Sequence, residues 1–407
     1  MKKWIILFMS VTLGLLFCTC KTGEKHAAAL TLDEDSVRLV LQGLSTGFKN
    51  KDINLLQNYF SEHFSISVLM WPSARRFLDP VLANNPIENI DFVATDTSFN
   101  DMVTVKVKVK IKTAGDKPET ESVISFDKDY KVVFIDYLDR LYGVSRYSVS
   151  EQKAVIPFEF DGKYIIIPLR LNDCNTVFRF LLDTGADGMA IGKTLSDSLN
   201  LSITGSQYAG VVGGQMRIDI SSGNTVHLTD TFSLKNQKIA VFENMGNGHD
   251  GIIGLNLAMN YITKIDFDRK QITLSTFGDY KYEGTGETVK IKNRYNVITV
   301  AGVLNIAGKE DVNGEFIFDS GADYYLIAFS GFVRKNRLLL TGFKPENQSA
   351  TVSMGHSTPV FEGKAHRFAL SPDLVFTDIP VTLQASTSKD DDEKTPSGSI
   401  GIELIQN

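Results

Sequence analysis

A chain of 407 residues with 43% hydrophobic, 10% aromatic and 22% charged residues has the make-up of a folded protein of two or three domains, without the bias of a disordered or fibrous chain. Its formal net charge is −6, and near −8 once Lys2 and Lys3 are discounted with the leader described next. That acidity argues against a nucleic-acid partner, because nothing would neutralise phosphates on the required scale.

The N-terminus reads as an export signal, residues 1–20. Lys2 and Lys3 precede an almost wholly apolar run from Trp4 to Phe17. Such a run is short for a membrane-spanning helix and suited to a signal peptide. It ends in Phe17-Cys18-Thr19-Cys20-Lys21, which resembles the lipobox of bacterial lipoproteins, with Cys20 as the lipidated residue, Cys18 as second candidate and simple secretion as the alternative. The resemblance implies a cell-envelope protein held to the membrane by an N-terminal lipid anchor. In that reading Cys174 is the one remaining thiol and no intrachain disulfide forms.

Residues 21–30 form a short tether, and 31–143 a first domain. Asp35 is the expected cap of a helix whose apolar positions Val37, Val40, Leu41, Leu44 and Phe48 keep helical spacing. Asp52 is the expected cap of a second helix with Leu55, Leu56, Tyr59 and Phe60, and a third stretch spans Pro72 to Leu82. Val103, Val105, Val107, Val109 and Ile111 then alternate with lysines, as in a strand with one dry and one charged face. Further strands are expected at Ser122–Phe126 and Lys131–Leu138. Helices followed by long antiparallel strands imply an α+β domain. With "GLSTGFKNKDINLLQNYFSEHF" as its opening helices, it resembles the NTF2-like or SnoaL-like cone fold. His63 and Asp136 would be the polar groups to nominate there, although such lone residues are more often structural.

After a linker at 144–153 the sequence repeats, dividing the remainder into 154–280 and 281–407. Apolar strands either side of the turn signal Asp161-Gly162 deliver Asp183-Thr184-Gly185-Ala186. Those around Lys292-Asn293-Arg294 deliver Asp319-Ser320-Gly321-Ala322. Each motif is followed by an apolar-Gly segment, Gly251-Ile252-Ile253-Gly254 and Gly398-Ser399-Ile400-Gly401, at gaps of 71 and 82 residues from the aspartate. One unit has been duplicated.

The chemistry of such a pair is specific. Two carboxylates about 3 Å apart cannot both ionise and share one proton, so one becomes a base for a water and the other an acid for a carbonyl. Gly185 and Gly321 would let the backbone approach the carboxylates, while Thr184 and Ser320 could tie the two loops by hydrogen bonds across the axis. The two motifs in the same order resemble the retropepsin-type aspartic peptidases, over about residues 154–407. "DGIIGLNLAMNYITKIDFDRKQITL" is similar to bacterial retropepsin-like proteins, with a Gly-containing strand, a short helix and a final strand pair.

The resemblance implies a mostly β, two-lobed fold in a multi-domain chain, an Asp183/Asp319 catalytic dyad, a peptide or protein substrate, and no cofactor or metal. It assigns Asp187 and Asp323 to substrate backbone. Gly213 and Gly214, in "YAGVVGGQMRI", would belong to a flap over the substrate, or to an ordinary glycine-rich loop; "VSMGHSTPVF" is the matching hairpin or a turn. Ala186 and Ala322 offer no hydroxyl to the carboxylates, so the dyad is expected to be less acidic than one flanked by Ser or Thr.

The second lobe departs from the repeat. It stops six residues after Gly401, without a counterpart of Tyr261–Leu274, and so reads as truncated. Ser399 replaces an apolar residue, and Lys389–Lys394 inserts a charge run. Three readings follow: an endopeptidase acting as a monomer with an intramolecular dyad, which is favoured; a homodimer pairing lobes between chains; and a catalytically inactive peptidase-like binding or scaffold lipoprotein.

Overall fold

The computed structural model describes residues 4–7, 30–67, 69–84, 87–96, 104–115, 118–146, 149–211, 214–245, 248–278, 280, 282–294, 297–308, 310–353, 356–385 and 395–406. It divides into two compact units. One comprises residues 1–8, 152–275 and 283–407, the other 9–151 and 276–282. Cys20 and the charge run Lys389–Lys394 lie outside the described residues. The backbone of Trp4–Leu7 pairs antiparallel with Ile262–Asp266. No helix among the described residues is long and apolar enough to cross a membrane.

The unit built largely from the N-terminal part has helices Glu34–Lys49, Ile53–Gln57 and Arg75–Asn84, then an antiparallel sheet of Ile87–Asp96, Thr104–Thr113, Thr120–Asp127 and Val132–Ile135. The first helix is capped two residues earlier than the sequence suggests. Asp33, in extended conformation, accepts the Ser36 N–H at 2.8 Å, and Asp35 falls in the first turn, where a negative charge meets the positive end of the helix. Asp52 caps the second helix as expected, accepting from the Asn54 and Leu55 amides. In Thr104–Thr113 the residues Val105, Val107, Val109 and Ile111 are buried while Lys108, Lys110 and Lys112 are exposed, the alternation a half-buried strand requires. The expected strand Lys131–Leu138 is corrected: pairing ends at Ile135 and Asp136–Leu141 turns helical, which takes Leu138 into the core by helical rather than alternating spacing.

The other unit is mostly β, and its two halves have the same sheet order. In the first, strands run Ile203–Val211, Gly214–His227, Ser233–Phe242, Met189–Gly192, Gly251–Ile253, Phe178–Leu182, Ile165–Leu171 and Glu159–Phe160. In the second they run Pro345–Ser353, His356–Ala369, Val375–Gln384, Leu326–Ala328, Gly398–Ile400, Val312–Phe318, Val297–Asn305 and Ile291–Arg294. Each sheet also closes on itself, Gly214–His227 pairing with Ile165–Leu171 and His356–Ala369 with Val297–Asn305. The duplication read from the two motifs therefore extends through both sheets.

The turn signal Asp161-Gly162 is a turn: the Asp161 carboxylate accepts the Lys163 and Tyr164 amides, and Gly162 takes φ +98°. Its expected counterpart at Lys292-Asn293-Arg294 is corrected, because those residues are strand, paired with Thr299, Ile298 and Val297.

Cores form under each half. Phe180, Leu182, Ile191 and Ile253 are buried in the first, Phe316, Leu326, Phe368 and Ile400 in the second. A fully buried side chain of this size stabilises by about 1.5–3 kcal/mol. The segment after Ile253 makes turns through Met259 and Tyr261 rather than a regular helix, then the strands Ile262–Asp266 and Gln271–Ser275, which join Gln152–Pro157. In the second half Gly401 leads instead into the short helix Ile402–Ile405. Ile402 is fully buried in the first half's core and Ile405 packs against it, so the two halves share apolar interior.

Candidate functional site

The apolar strand Phe178–Leu182 ends at Asp183 because its backbone runs parallel to Gly251–Ile253, with the Asp183 N–H donating to Ile253 O at 3.0 Å. Val312–Phe318 ends at Asp319 in the same way beside Gly398–Ile400, the Asp319 N–H donating to Ile400 O at 2.9 Å. In each half the chain then turns back, so that Met189–Gly192 or Leu326–Ala328 lies antiparallel to the other edge of that same short strand. The aspartate is thus presented on a loop pinned from both sides. Gly254 and Gly401 permit this packing: a Cβ on either would run into backbone carbonyls, Ala186 O and Gly188 O in one case, Tyr324 O and Ala322 O in the other.

Thr184 and Ser320 lock the two loops together. Thr184 Oγ1 donates to Phe318 O at 2.6 Å and accepts the Ser320 N–H at 2.9 Å. Reciprocally, Ser320 Oγ donates to Leu182 O at 2.8 Å and accepts the Thr184 N–H at 3.2 Å. Both residues are buried, so each hydroxyl and each amide has its partner only in the opposite half.

This crossbrace brings Asp183 and Asp319 together, and their carboxyls hydrogen-bond each other. Gly185 N–H donates to Asp183 Oδ1 at 2.9 Å, and Gly321 N–H to Asp319 Oδ1 at 3.0 Å. The fit is close: a Cβ on Gly185 would sit 2.6 Å from Asp319 Cγ, and one on Gly321 would strike Asp183 Cγ. Burial raises the Asp183 carboxyl above its ordinary range. Asp319 is raised well above it, by burial and then by the negative charge of Asp183. The two carboxyls therefore titrate as one unit, which keeps a single proton between its lower and upper steps.

Those shifts set a pH dependence of stability. Between the unfolded carboxyl value near 3.9 and the raised folded values, the unfolded chain gives up protons that the folded chain retains. The pair thus costs stability as pH rises through that window. Replacing Asp319 with Asn breaks up the pair and removes that cost, so the melting temperature of Asp319→Asn relative to wild type should be higher at pH 7 than at pH 3. An equal or reversed difference would show that the pair does not keep a proton in that window.

Sequence reading missed three neighbours of the pair and one ion pair between the two halves. Ser399, noted only as a departure from the repeat, points its Oγ at Asp319 Oδ2, 3.4 Å away. The hydroxyl that Ala322 cannot supply therefore reaches Asp319 from another strand, where the first half has Ile252. Tyr324, at the position of Gly188, hydrogen-bonds Ser399; burial and then the nearby Asp319 hold its phenol protonated, well above its usual range. His249 lies near enough to Asp183 to feel its charge, but burial, the larger effect, lowers its pKa, and its Nδ1 is buried without a partner. Lys163 Nζ bonds Asp323 Oδ2 at 2.6 Å, linking the Asp161-Gly162 turn of the first half to the loop of the second. Aligning the two repeats residue by residue could have flagged Ser399 and Tyr324; the lysine has no sequence signal.

Asp187 and Asp323 stand in different surroundings. Asp187 is exposed, whereas Asp323 is engaged by Lys163 and lies against Glu403. The glycine-rich segment is an arm of a long hairpin, Ile203–Val211 with Gly214–His227. Gly214 pairs with Val211 at its end, and Gly213 lies outside the described residues. "VSMGHSTPVF" belongs to the matching hairpin, Pro345–Ser353 with His356–Ala369. In the other unit Asp136 is ion-paired with Arg140 at 3.0 Å, and His63 Nε2 lies 3.2 Å from a Glu62 carboxylate oxygen. The neighbouring Asp139 is pushed up to about 7 by burial, against the pull of Arg146 at 2.8 Å.

The family model for Aspartyl protease matches residues 167–257. Among curated proteins there is no match. A retropepsin-like aspartic protease from Rickettsia conorii is similar at 21% identity, over 31% of this chain and 94% of that one, with a TM-score of 0.23. An aspartic proteinase from Irpex lacteus is similar at 12% identity, over 64% of this chain and 93% of that one, with a TM-score of 0.39.

Proposed function

We propose that the chain is an aspartic endopeptidase whose catalytic dyad, Asp183 and Asp319, forms within one molecule. The observation that carries the reading is the hydrogen-bonded carboxyl pair held by a reciprocal hydroxyl crossbrace. With one proton between them, the ionised Asp183 takes a proton from a water as its oxygen attacks the scissile carbonyl carbon. Asp319 gives its proton to the carbonyl oxygen, which avoids a free oxyanion. Collapse of the resulting gem-diol breaks the C–N bond as the proton collected by Asp183 passes to the leaving amine and a gem-diol hydroxyl returns a proton to Asp319, which leaves a carboxylic acid and restores the one-proton pair. No covalent intermediate with the protein is formed. The two long hairpins support the reading, since each could cover a peptide lying across the pair.

We further propose that the N-terminal unit is an NTF2-like domain, in keeping with its helices and four-stranded antiparallel sheet, and that lipidation at Cys20 holds the protein in a bacterial cell envelope. Cys20→Ser should then move it from the membrane to the soluble fraction; membrane retention would refute the anchor.

The test of function is incubation of the protein with a diverse peptide library at pH 3 to 8, products being read by mass spectrometry. Internal cleavage that includes activity above pH 3.5 is expected, given the raised carboxyls. Peptides bound but uncut at every pH would favour an inactive binding protein.

A further inference from the structure

The two halves share a backbone but not a lining. In the first, Ala190, Ile218 and Phe242 form a small apolar cluster, joined by Ala209, Met216, Ile220, Ala240 and Ile252. The face is that of the carboxyl pair. Ile253 points into the core, so Ile252 projects from the opposite side of the sheet, and its counterpart Ser399 reaches the Asp319 carboxyl.

Ladder registers give the counterparts in the second half. Ala190 pairs with Ala240 as Ile327 does with Thr382, and Ile220 pairs with Ala240 as Glu362 does with Thr382. Ala209 pairs with Met216 as Thr351 does with Thr358. The same offset sets Gln384 against Phe242 and Val360 against Ile218. Ile327 and Val360 remain apolar. The other six positions change from Ala209, Met216, Ile220, Ala240, Phe242 and Ile252 to Thr351, Thr358, Glu362, Thr382, Gln384 and Ser399. A swap confined to one face of a duplicated sheet is a change of lining, because the core beneath stays apolar in both halves.

Glu362 supplies the charge on this wall. Its carboxylate accepts from Ser349 Oγ and from Asn347 Nδ2, both on the same face of the hairpin. These bonds favour the ionised form and lower its pKa. An apolar wall gains by excluding water from an apolar side chain, whereas an anion among hydroxyls and an amide gains by receiving hydrogen bonds.

We propose that the two halves read the residues flanking the scissile bond differently, the first taking an apolar side chain and the second a hydrogen-bond-donating one, Lys or Arg foremost. The proposal rests on the peptidase reading for the position of the bond. The pseudo-twofold relation between the sheets sends the two flanking side chains to opposite walls.

The test uses four labelled decapeptides, identical except for a central Leu–Leu, Leu–Arg, Arg–Leu or Arg–Arg, and full-length Asp183→Asn protein, with binding read by fluorescence anisotropy. One mixed peptide should bind roughly 10- to 100-fold tighter than Leu–Leu, the effect of a charge-assisted hydrogen bond. Which mixed peptide wins reads out the direction of the bound chain. Adding Glu362→Gln should reduce that preference about tenfold, and adding Ile220→Glu should raise the affinity for Arg–Arg. Tightest binding of Leu–Leu, a preference unchanged by Glu362→Gln, or binding of none of the four would each overturn the proposal.

Cleavage of the same peptides by wild type is scored separately. A mixed peptide that is preferred in binding but never cut removes the peptidase reading and leaves the lining assignment standing. Efficient cleavage of Leu–Leu over both mixed peptides does the reverse.

Discussion

Asp183→Asn and Asp319→Asn should each lower kcat/KM for a cleaved peptide by on the order of 10^4- to 10^6-fold, the loss seen when one member of a catalytic unit is removed. Asn matches Asp in shape and can keep the Gly185 or Gly321 N–H as a donor to its oxygen, so the loops and the crossbrace need not move. What it cannot do is share a proton. Without Asp183 there is no base for the water, and without Asp319 there is no acid for the carbonyl. Because the two act as one device, the double variant should be no more than about tenfold worse than either single one. Retention of more than about a tenth of wild-type activity by either single variant would remove that residue from the chemistry. Circular dichroism and melting curves would separate loss of chemistry from loss of fold.

Gly185→Ala and Gly321→Ala come next in size. Here the carboxyls remain but their positions do not: the added methyl would overlap Asp319 Cγ in one variant and Asp183 Cγ in the other. The backbone cannot yield easily, since each loop is pinned by its neighbouring strand and by Thr184 and Ser320. The carboxyl opposite must therefore shift by a large fraction of an ångström, and a misplacement of that order costs about 10^2-fold in rate. Overpacking should also cost about 1–3 kcal/mol of stability, measured by chemical denaturation. Wild-type rates in both variants would mean that catalysis does not depend on the close approach of the pair.

Much of this site is legible in the residues. A buried strand that ends in Asp-Thr-Gly or Asp-Ser-Gly has few structural uses, and its recurrence after 136 residues points to a pair, not to two separate aspartates. Period-two alternation places Thr104–Thr113, and a carboxylate before a helix places the Asp52 cap. The misses share a cause. Asp33 and Asp35 both satisfy a capping pattern, and only the backbone dihedrals decide between them. Lys131–Leu138 is apolar enough for a strand or a short helix, and the helix begins where strand pairing runs out. Lys163 meets Asp323 across 160 residues, a contact that no local pattern encodes. Ser399 was visible as an irregularity, but its meaning depends on which face of Gly398–Ile400 looks toward Asp319.

The division of labour between the halves follows from the same geometry. Residues that hold the backbone, Thr184 with Ser320 and Gly254 with Gly401, recur in kind. Residues that face the cleft have diverged. Duplication left two copies of a scaffold, and a linked pair, unlike a symmetric dimer, lets each copy carry its own lining.

The most direct test of the central claim is a titration of the carboxyl carbons of Asp183 and Asp319 by NMR, with 13C-labelled aspartate and the two Asn variants for assignment. The account predicts two coupled steps, the upper one well above ordinary aspartate, with that upper step gone when either residue becomes Asn. Two independent titrations at ordinary values, unaffected by the partner's replacement, would contradict it.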